Sequence, residues 1–167
     1  MYEVDRKKFR KIIQDQKESF FQSLNPNLYQ SYLNSDDFYP RSEFVKKYLC
    51  HAEGEGRKYF VEFRNNELSI CACLKILKWD SELLDIPTGG IEWLLFLLES
   101  PEEDVSRFLE SVLNENEKLN LIYARVSADD IRTLQILEKK GFEIADISQV
   151  FTYKEKYPRV LSDDQDK

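Results

Sequence analysis

The spacing of apolar positions changes along the chain, and the changes divide it into elements. Over residues 5–22, Phe9, Ile12, Ile13, Phe20 and Phe21 fall mostly on one side of a helix. Asn25-Pro26 breaks that run and suits N-cap and N1 of a second short helix, with Leu28, Tyr29, Tyr32 and Leu33 as its apolar side. Tyr39-Pro40 marks a turn, and Phe44, Val45, Tyr48 and Leu49 predict a third helix. After a flexible break at Glu53-Gly54-Glu55-Gly56 the period becomes two. Residues 58–63 predict a strand, Asn65-Asn66 a hairpin turn, and residues 68–77 a second strand with Leu68, Ile70, Ala72, Leu74 and Ile76 on one face. Residues 79–90, WDSELLDIPTGG, read as a structured loop. Residues 91–98 are nearly all apolar, as in a central strand.

The second half carries sharper signals. Ser100, Pro101 and Glu103 fit N-cap, N1 and N3 of a helix whose Val105, Phe108, Leu109, Val112 and Leu113 make one face. Leu121, Ile122, Tyr123, Ala124 and Val126 read as a strand buried on both faces. Ser127 stands three residues before Asp130, a capping-box spacing, and Ile131, Leu134 and Leu137 follow at helical spacing. Lys139 and Lys140 suit the negative end of that helix. Gly141 is placed at C′ with φ > 0, and Phe142 can fold back on Leu137 in a Schellman stop. A last strand is expected over residues 143–153. The order is helices, a three-strand meander, then α, β, α, β, which predicts an α/β (α+β) fold with a mixed sheet. One domain is expected over residues 1–153, with a polar tail over 154–167.

Composition narrows the partners. The 167 residues are enough for one core, and the 42% hydrophobic fraction predicts a packed globule. A net charge of −7 disfavours nucleic acid and anionic membrane surfaces. The N-terminus is charged and lacks an apolar signal region, and the apolar run 91–98 is interrupted by Glu92 and too short to span a bilayer. Three cysteines without a regular framework suit a reducing cytoplasm.

Each candidate for chemistry has a plainer structural reading beside it. Cys71 and Cys73 alternate on one strand and Cys50 adjoins His51, the single histidine, but there is no C-x-x-C pair and no metal site is expected. Trp79, Asp80 and Ser81 follow a strand, where an aromatic wall and a carboxylate could hold an amine or sugar hydroxyl. The plainer reading has Trp79 closing the core and Asp80-Ser81 forming a turn. Glu92 interrupts the central strand: as a buried acid it is a candidate general base, and as a strand-end acid it faces solvent. Asp80 is the second catalytic candidate, and Trp93 joins the substrate-binding set. Glu102, Glu103 and Asp104 are most simply acids complementing a helix dipole.

The segment DDIRTLQILEKKGFEIAD resembles the C-terminal signature of the GNAT N-acetyltransferases, N-x-x-A-x-x-L-Y-x-x-x-G-F followed by a strand. LKWDSELLDIPTGGIEWLLF is similar to the N-terminal half of dTDP-fucosamine acetyltransferase and related two-part GNAT proteins. The likeness covers roughly residues 58–153. It implies a GNAT-like fold in which acyl-CoA lies at splayed central strands, with its pyrophosphate on a glycine-rich loop leading into the next helix. The corresponding positions here are Ser100, Glu102, Glu103 and, on the later helix, Asp130. They depart from the family pattern: LESPEEDVSRFL has no glycine and three acids. A phosphate about 6 Å from one carboxylate meets roughly 0.7–3 kcal/mol of repulsion. The family's tyrosine, often the proton donor to the leaving thiolate, aligns with Leu137, its asparagine with Asp130 and its alanine with Thr133. The resemblance therefore implies a domain with a degenerate acyl-CoA site that supports or binds a catalytic GNAT partner or a substrate, as a homodimer or a hetero-complex. The alternative it implies is an active acetyl-CoA-dependent N-acetyltransferase of an amino sugar or other small amine.

Overall fold

A computed structural model describes residues 1–25, 41–51 and 54–145, the side chains of Arg41 and His51 excepted. The predicted helix at residues 26–33 and the end of the predicted last strand lie outside these. The elements are β1 (Tyr2–Val4), α1 (Arg6–Gln14), α2 (Glu18–Gln22), α3 (Arg41–His51), β2 (Arg57–Arg64), β3 (Glu67–Ile76), α4 (Lys78–Leu84), β4 (Thr88–Phe96), α5 (Glu102–Asn114), β5 (Leu121–Ala124) and α6 (Ile131–Lys139). Among the described residues they form a mixed α/β fold around one sheet in the order β1-β2-β3-β4-β5. The first four strands are antiparallel neighbours, and β5 is parallel to β4 because α5 carries the chain back across the sheet.

The period-two pattern explains the layers. Tyr59 and Val61 face one side of β2 and Phe60 the other, and Cys71 and Cys73 of β3 oppose Ile70, Ala72 and Leu74. One face is covered by Phe9 and Ile13 of α1, Phe20 and Phe21 of α2, and Val45 and Leu49 of α3. The other is covered by Val105, Phe108, Leu109 and Val112 of α5 and Ile136 and Leu137 of α6. A sheet covered on both faces explains why β3 and β4 read as continuous apolar runs. Leu68 departs from the predicted face and joins the α1 side, next to a register shift at Glu62/Phe63.

Two stops follow their predictions. Asn65 and Asn66 both have positive φ, 52° and 67°, as a two-residue hairpin turn needs. Gly141 has φ 85°, and the N–H groups of Gly141 and Phe142 donate to the carbonyls of Glu138 and Leu137 at 2.9 and 3.1 Å. That pair of bonds is a Schellman motif.

Several expectations are corrected. The single helix over 5–22 is two, capped by Asp5 at one end and broken after Gln14, and β1 precedes them. Residues 78–84 are helix rather than loop: Ser81 Oγ donates to the Leu77 carbonyl and accepts the Thr88 N–H, closing the segment on itself. β4 begins at Thr88 because Gly89 and Gly90 pair with Ile76 and Lys75, and a Cβ on Gly89 would meet the Leu119 side chain at 2.5 Å. α5 starts one residue later than expected, with Pro101 rather than Ser100 at the N-cap and no side-chain cap. α6 starts at Ile131, so Asp130 is its N-cap rather than its third residue. β5 alternates between exposed and half-buried positions instead of being buried on both faces, because it is the edge strand among the described residues. Residues 142–145 are not strand. No helix among the described residues is long and apolar enough to cross a membrane.

Candidate functional site

The site is built on a fork in the sheet. β4 pairs with β5 only from Thr88 to Ile91. On its other edge the register jumps, so that Leu74 faces Ile91 while Cys73 faces Trp93, leaving Glu92 as an extra residue. A bulge bends its strand, and this one sits where β4 and β5 part company. Past Glu92 the outer edge of β4 has no strand from β5 to satisfy its backbone.

The chain's own residues 23–25 take that edge. Leu24 bridges Leu97 in antiparallel fashion, the Leu98 N–H donates to the Ser23 carbonyl at 2.8 Å, and the Asn25 N–H donates to the Phe96 carbonyl at 3.0 Å. The Asn25 side chain continues the pairing. Its Oδ1 accepts the Phe96 N–H at 2.9 Å, and its Nδ2 donates to the Leu94 carbonyl at 3.2 Å. The same Nδ2 reaches Asp130 Oδ2 at 2.7 Å and Thr133 Oγ1 at 3.1 Å. Asp130 in turn accepts the Thr133 N–H at 3.1 Å, as a helix cap, and the Thr133 hydroxyl at 2.6 Å. Asn25, Asp130 and Thr133 are all buried. A buried polar group is tolerated only when its bonds are made, and here each partner completes another.

Glu92 projects to the α1 side. Arg57 grips its carboxylate with two bonds, Nε to Oε2 at 2.5 Å and Nη2 to Oε1 at 2.8 Å. The Cys73 thiol lies 3.6 Å from Oε2 and Lys75 Nζ 4.0 Å from Oε1. The bonds to Glu92 hold the Arg57 guanidinium above its ordinary pKa, while burial and then the Glu92 charge raise the Cys73 thiol. Burial, reinforced by Glu92, also raises the Tyr48 hydroxyl. A general base must be free to take a proton, and both oxygens of Glu92 are committed to a guanidinium. Trp93, expected at a substrate, is wholly buried between core side chains, stacked on Phe9 at 5.5 Å, so it packs the core.

The other candidates lie elsewhere. Trp79 does not close the core but is 70% exposed on α4. The Asp80 carboxylate acts on Tyr123 of β5, whose hydroxyl is raised first by burial and then by that charge. The Ser81 hydroxyl is spent on pinning α4 to β4. The start of α5 lies past the far end of β4, nine residues or roughly 25–30 Å away. The sequence-derived residues therefore do not converge: the structure splits them among α4, the bulge, the core at Trp93, the start of α5 and the N-cap of α6 at Asp130.

The α5 acids are not bare. Lys139 bonds Glu102, holding that carboxyl below its ordinary value, and Asp104 lies 2.5 Å from Arg107 and 3.8 Å from Arg64. Glu103 is exposed. Arg132 donates to the carbonyls of Leu98 and Ser100 and lies over the Phe96 ring at 5.0 Å. Ser100 is buried, with its N–H on the Leu97 carbonyl. Among the described residues, repulsion of a phosphate is thus partly offset by four cations, Arg64, Arg107, Arg132 and Lys139, each already bonded or paired within the chain. Asn25 and Arg57 escaped the sequence reading as site residues, and Thr133 entered it only as the position of the family's alanine. Asn25 stands before Pro26 and reads as a helix cap, and nothing local ties it to residues 94–133.

Architecture now permits comparison. Over 92% of this chain and 95% of its own, an aminoglycoside acetyltransferase, meta-AAC0020 from an uncultured soil metagenomic sample in complex with sisomicin, superposes with TM-score 0.56 at 15% identity. A ribosomal-protein-alanine N-acetyltransferase from Brucella melitensis biovar Abortus 2308 gives TM-score 0.57 at 8% identity, over 91% of this chain and 97% of that one. The fold is that of the GNAT acetyltransferases. An integron cassette protein from the mobile metagenome of V. cholerae shares it, with TM-score 0.58 at 10% identity over 93% and 91% of the two chains. No family model matches the sequence, and no curated protein does. At these identities the GNAT likeness is one of fold.

Proposed function

We propose that this chain is a GNAT-fold domain whose acyl-CoA cleft is filled by its own residues, and that it works by binding, as a support for a catalytic GNAT partner. Active members of the fold use acetyl-CoA at the splay of the central strands. The observation that carries the reading is Asn25, which occupies the free edge of β4 at that splay and ties it to Asp130 and Thr133. Three further features agree with it. The Glu92 carboxylate is closed by Arg57. Leu137, at the family's tyrosine position, is buried and has no proton to give. The start of α5 offers neither glycines nor a side-chain cap. The WDSELL segment supports the finer likeness to one half of a two-part acetyltransferase, which makes a catalytic GNAT domain the natural partner. The rival reading, an active N-acetyltransferase of a small amine, is favoured by the bulge at Glu92, which keeps β4 and β5 splayed.

Calorimetric titration of the whole chain with acetyl-CoA separates the two. The expected Kd is about 1 mM or weaker, equivalent to about −4 kcal/mol. A micromolar Kd together with thioester turnover on an amine would move the assignment to the active enzyme.

A further inference from the structure

The connection between β3 and β4 is a helix turned the wrong way for a soluble domain. No residue of α4 is buried. Trp79 and Leu83, four apart and so on one stripe of the helix, are 70% and 66% exposed, and Leu84 and Ile86 extend the apolar surface. Bonds from the Asn120 and Leu121 N–H groups to the Pro87 carbonyl bring β5, with its half-exposed Leu121 and Tyr123, to its border, and the Asp80 charge acts on the Tyr123 hydroxyl. A helix normally hides such a stripe. This one is held outward by Ser81, whose hydroxyl bonds both Leu77 and Thr88. An apolar patch of this kind, centred on a tryptophan, is characteristic of protein contacts.

The charges around the patch select what covers it. Asp80, Glu82 and Asp85 belong to α4 and its C-cap, and Glu55 lies 3.4 Å from Lys78. Among the described residues, cations beside them are Lys78, paired with that Glu55, and Arg125, which acts on Tyr123. The rim is therefore net acidic among the described residues. A second copy meeting the patch about a two-fold axis would set acidic rims face to face, which is unfavourable. We propose that α4 is the docking surface for a partner protein that presents an apolar helix flanked by lysine or arginine. This rests on the reading of the chain as a binding domain, but acetyl-CoA titration tests that reading independently of this surface.

Trp79 reports on its own surface, because the chain's other tryptophan, Trp93, is buried. The probe is a Leu/Lys heptad peptide of about 18 residues, long enough to hold a helix. Titrated into the whole chain, it should shift the Trp79 emission to the blue, saturably, and Trp79→Phe should abolish the shift. Leu83→Asp should weaken binding about tenfold or more, and Glu82→Lys should weaken it in a salt-dependent way. Both sites are exposed, so circular dichroism should show the fold intact. The proposal is overturned by no shift, by an emission already blue in the free chain, or by equal binding of the same peptide with Glu in place of Lys. Dimerisation abolished by Leu83→Asp would assign the surface to a second copy instead. A shift produced by zwitterionic lipid vesicles but not by the peptide would assign it to a membrane.

Discussion

Asn25 and Gly141 show two ways in which one residue sets this fold. Asn25 satisfies three backbone groups of β4 and the buried carboxylate of Asp130. Asn25→Ala keeps its N–H bond to Phe96 but takes the acceptor from the buried Phe96 N–H and one donor from the Asp130 carboxylate, so it should lower the unfolding free energy by about 2–4 kcal/mol. Urea denaturation measures this, and a loss below about 0.5 kcal/mol would mean that water replaces the side chain. Gly141 acts through its backbone alone: among the described residues, its chain neighbours apart, no atom lies within 4 Å of where a Cβ would stand, yet φ is 85°. Gly141→Ala should therefore cost about 1 kcal/mol and Gly141→Val about 1–3 kcal/mol, from left-handed strain without a clash. An unchanged denaturation midpoint for the valine variant would contradict the cap.

Between elements, α5 and α6 are joined by charge at their exposed edges as well as by their buried faces. Lys139 bonds Glu102, and Lys140 bonds Glu110 at 2.7 Å. Each bond holds its glutamate carboxyl below the ordinary value of 4.5. A depressed folded-state pKa adds stability that is present above the unfolded value and lost as pH falls through the folded one. The Glu102→Gln/Glu110→Gln double variant should thus be less stable than the parent near neutral pH. The gap in urea midpoint should close as pH drops below 4.5, and salt should shrink it, since both pairs are exposed. A gap independent of pH would show that the glutamates act by packing.

For the whole molecule, both cores share one sheet. β2, β3 and β4 each send alternate residues to the α1 side and to the α5 side. Neither core can open without loosening strands that the other needs, so unfolding should be a single transition. Phe108→Ala, buried under α5, should cost about 3–5 kcal/mol. In a Trp79→Phe background, emission from Trp93 on the opposite face should report the same shifted midpoint as circular dichroism. Two separate transitions would mean that the faces fold independently.

What the sequence determined by itself was local. The turn at Asn65-Asn66, the Gly141 stop, the amphipathic face of α5 and the alternation of β2 depend on residues within about one or two turns of each other, where backbone sterics and side-chain period act directly. The α/β class and the GNAT-like architecture followed from these, while β1, α4 and the split of α1 from α2 did not. The tertiary structure decided the rest. Residues 78–84 lack a helix-start signal, and α4 forms because Ser81 meets Thr88 on the next strand. Glu92 reads as a free acid until Arg57, 35 positions away, closes on it. Asn25 reads as a cap until residues 94, 96, 130 and 133 surround it, 69 to 108 positions on in sequence. Whether a cleft is open depends on which side chain reaches its edge, and long-range contacts of that kind leave no periodicity in the chain that makes them.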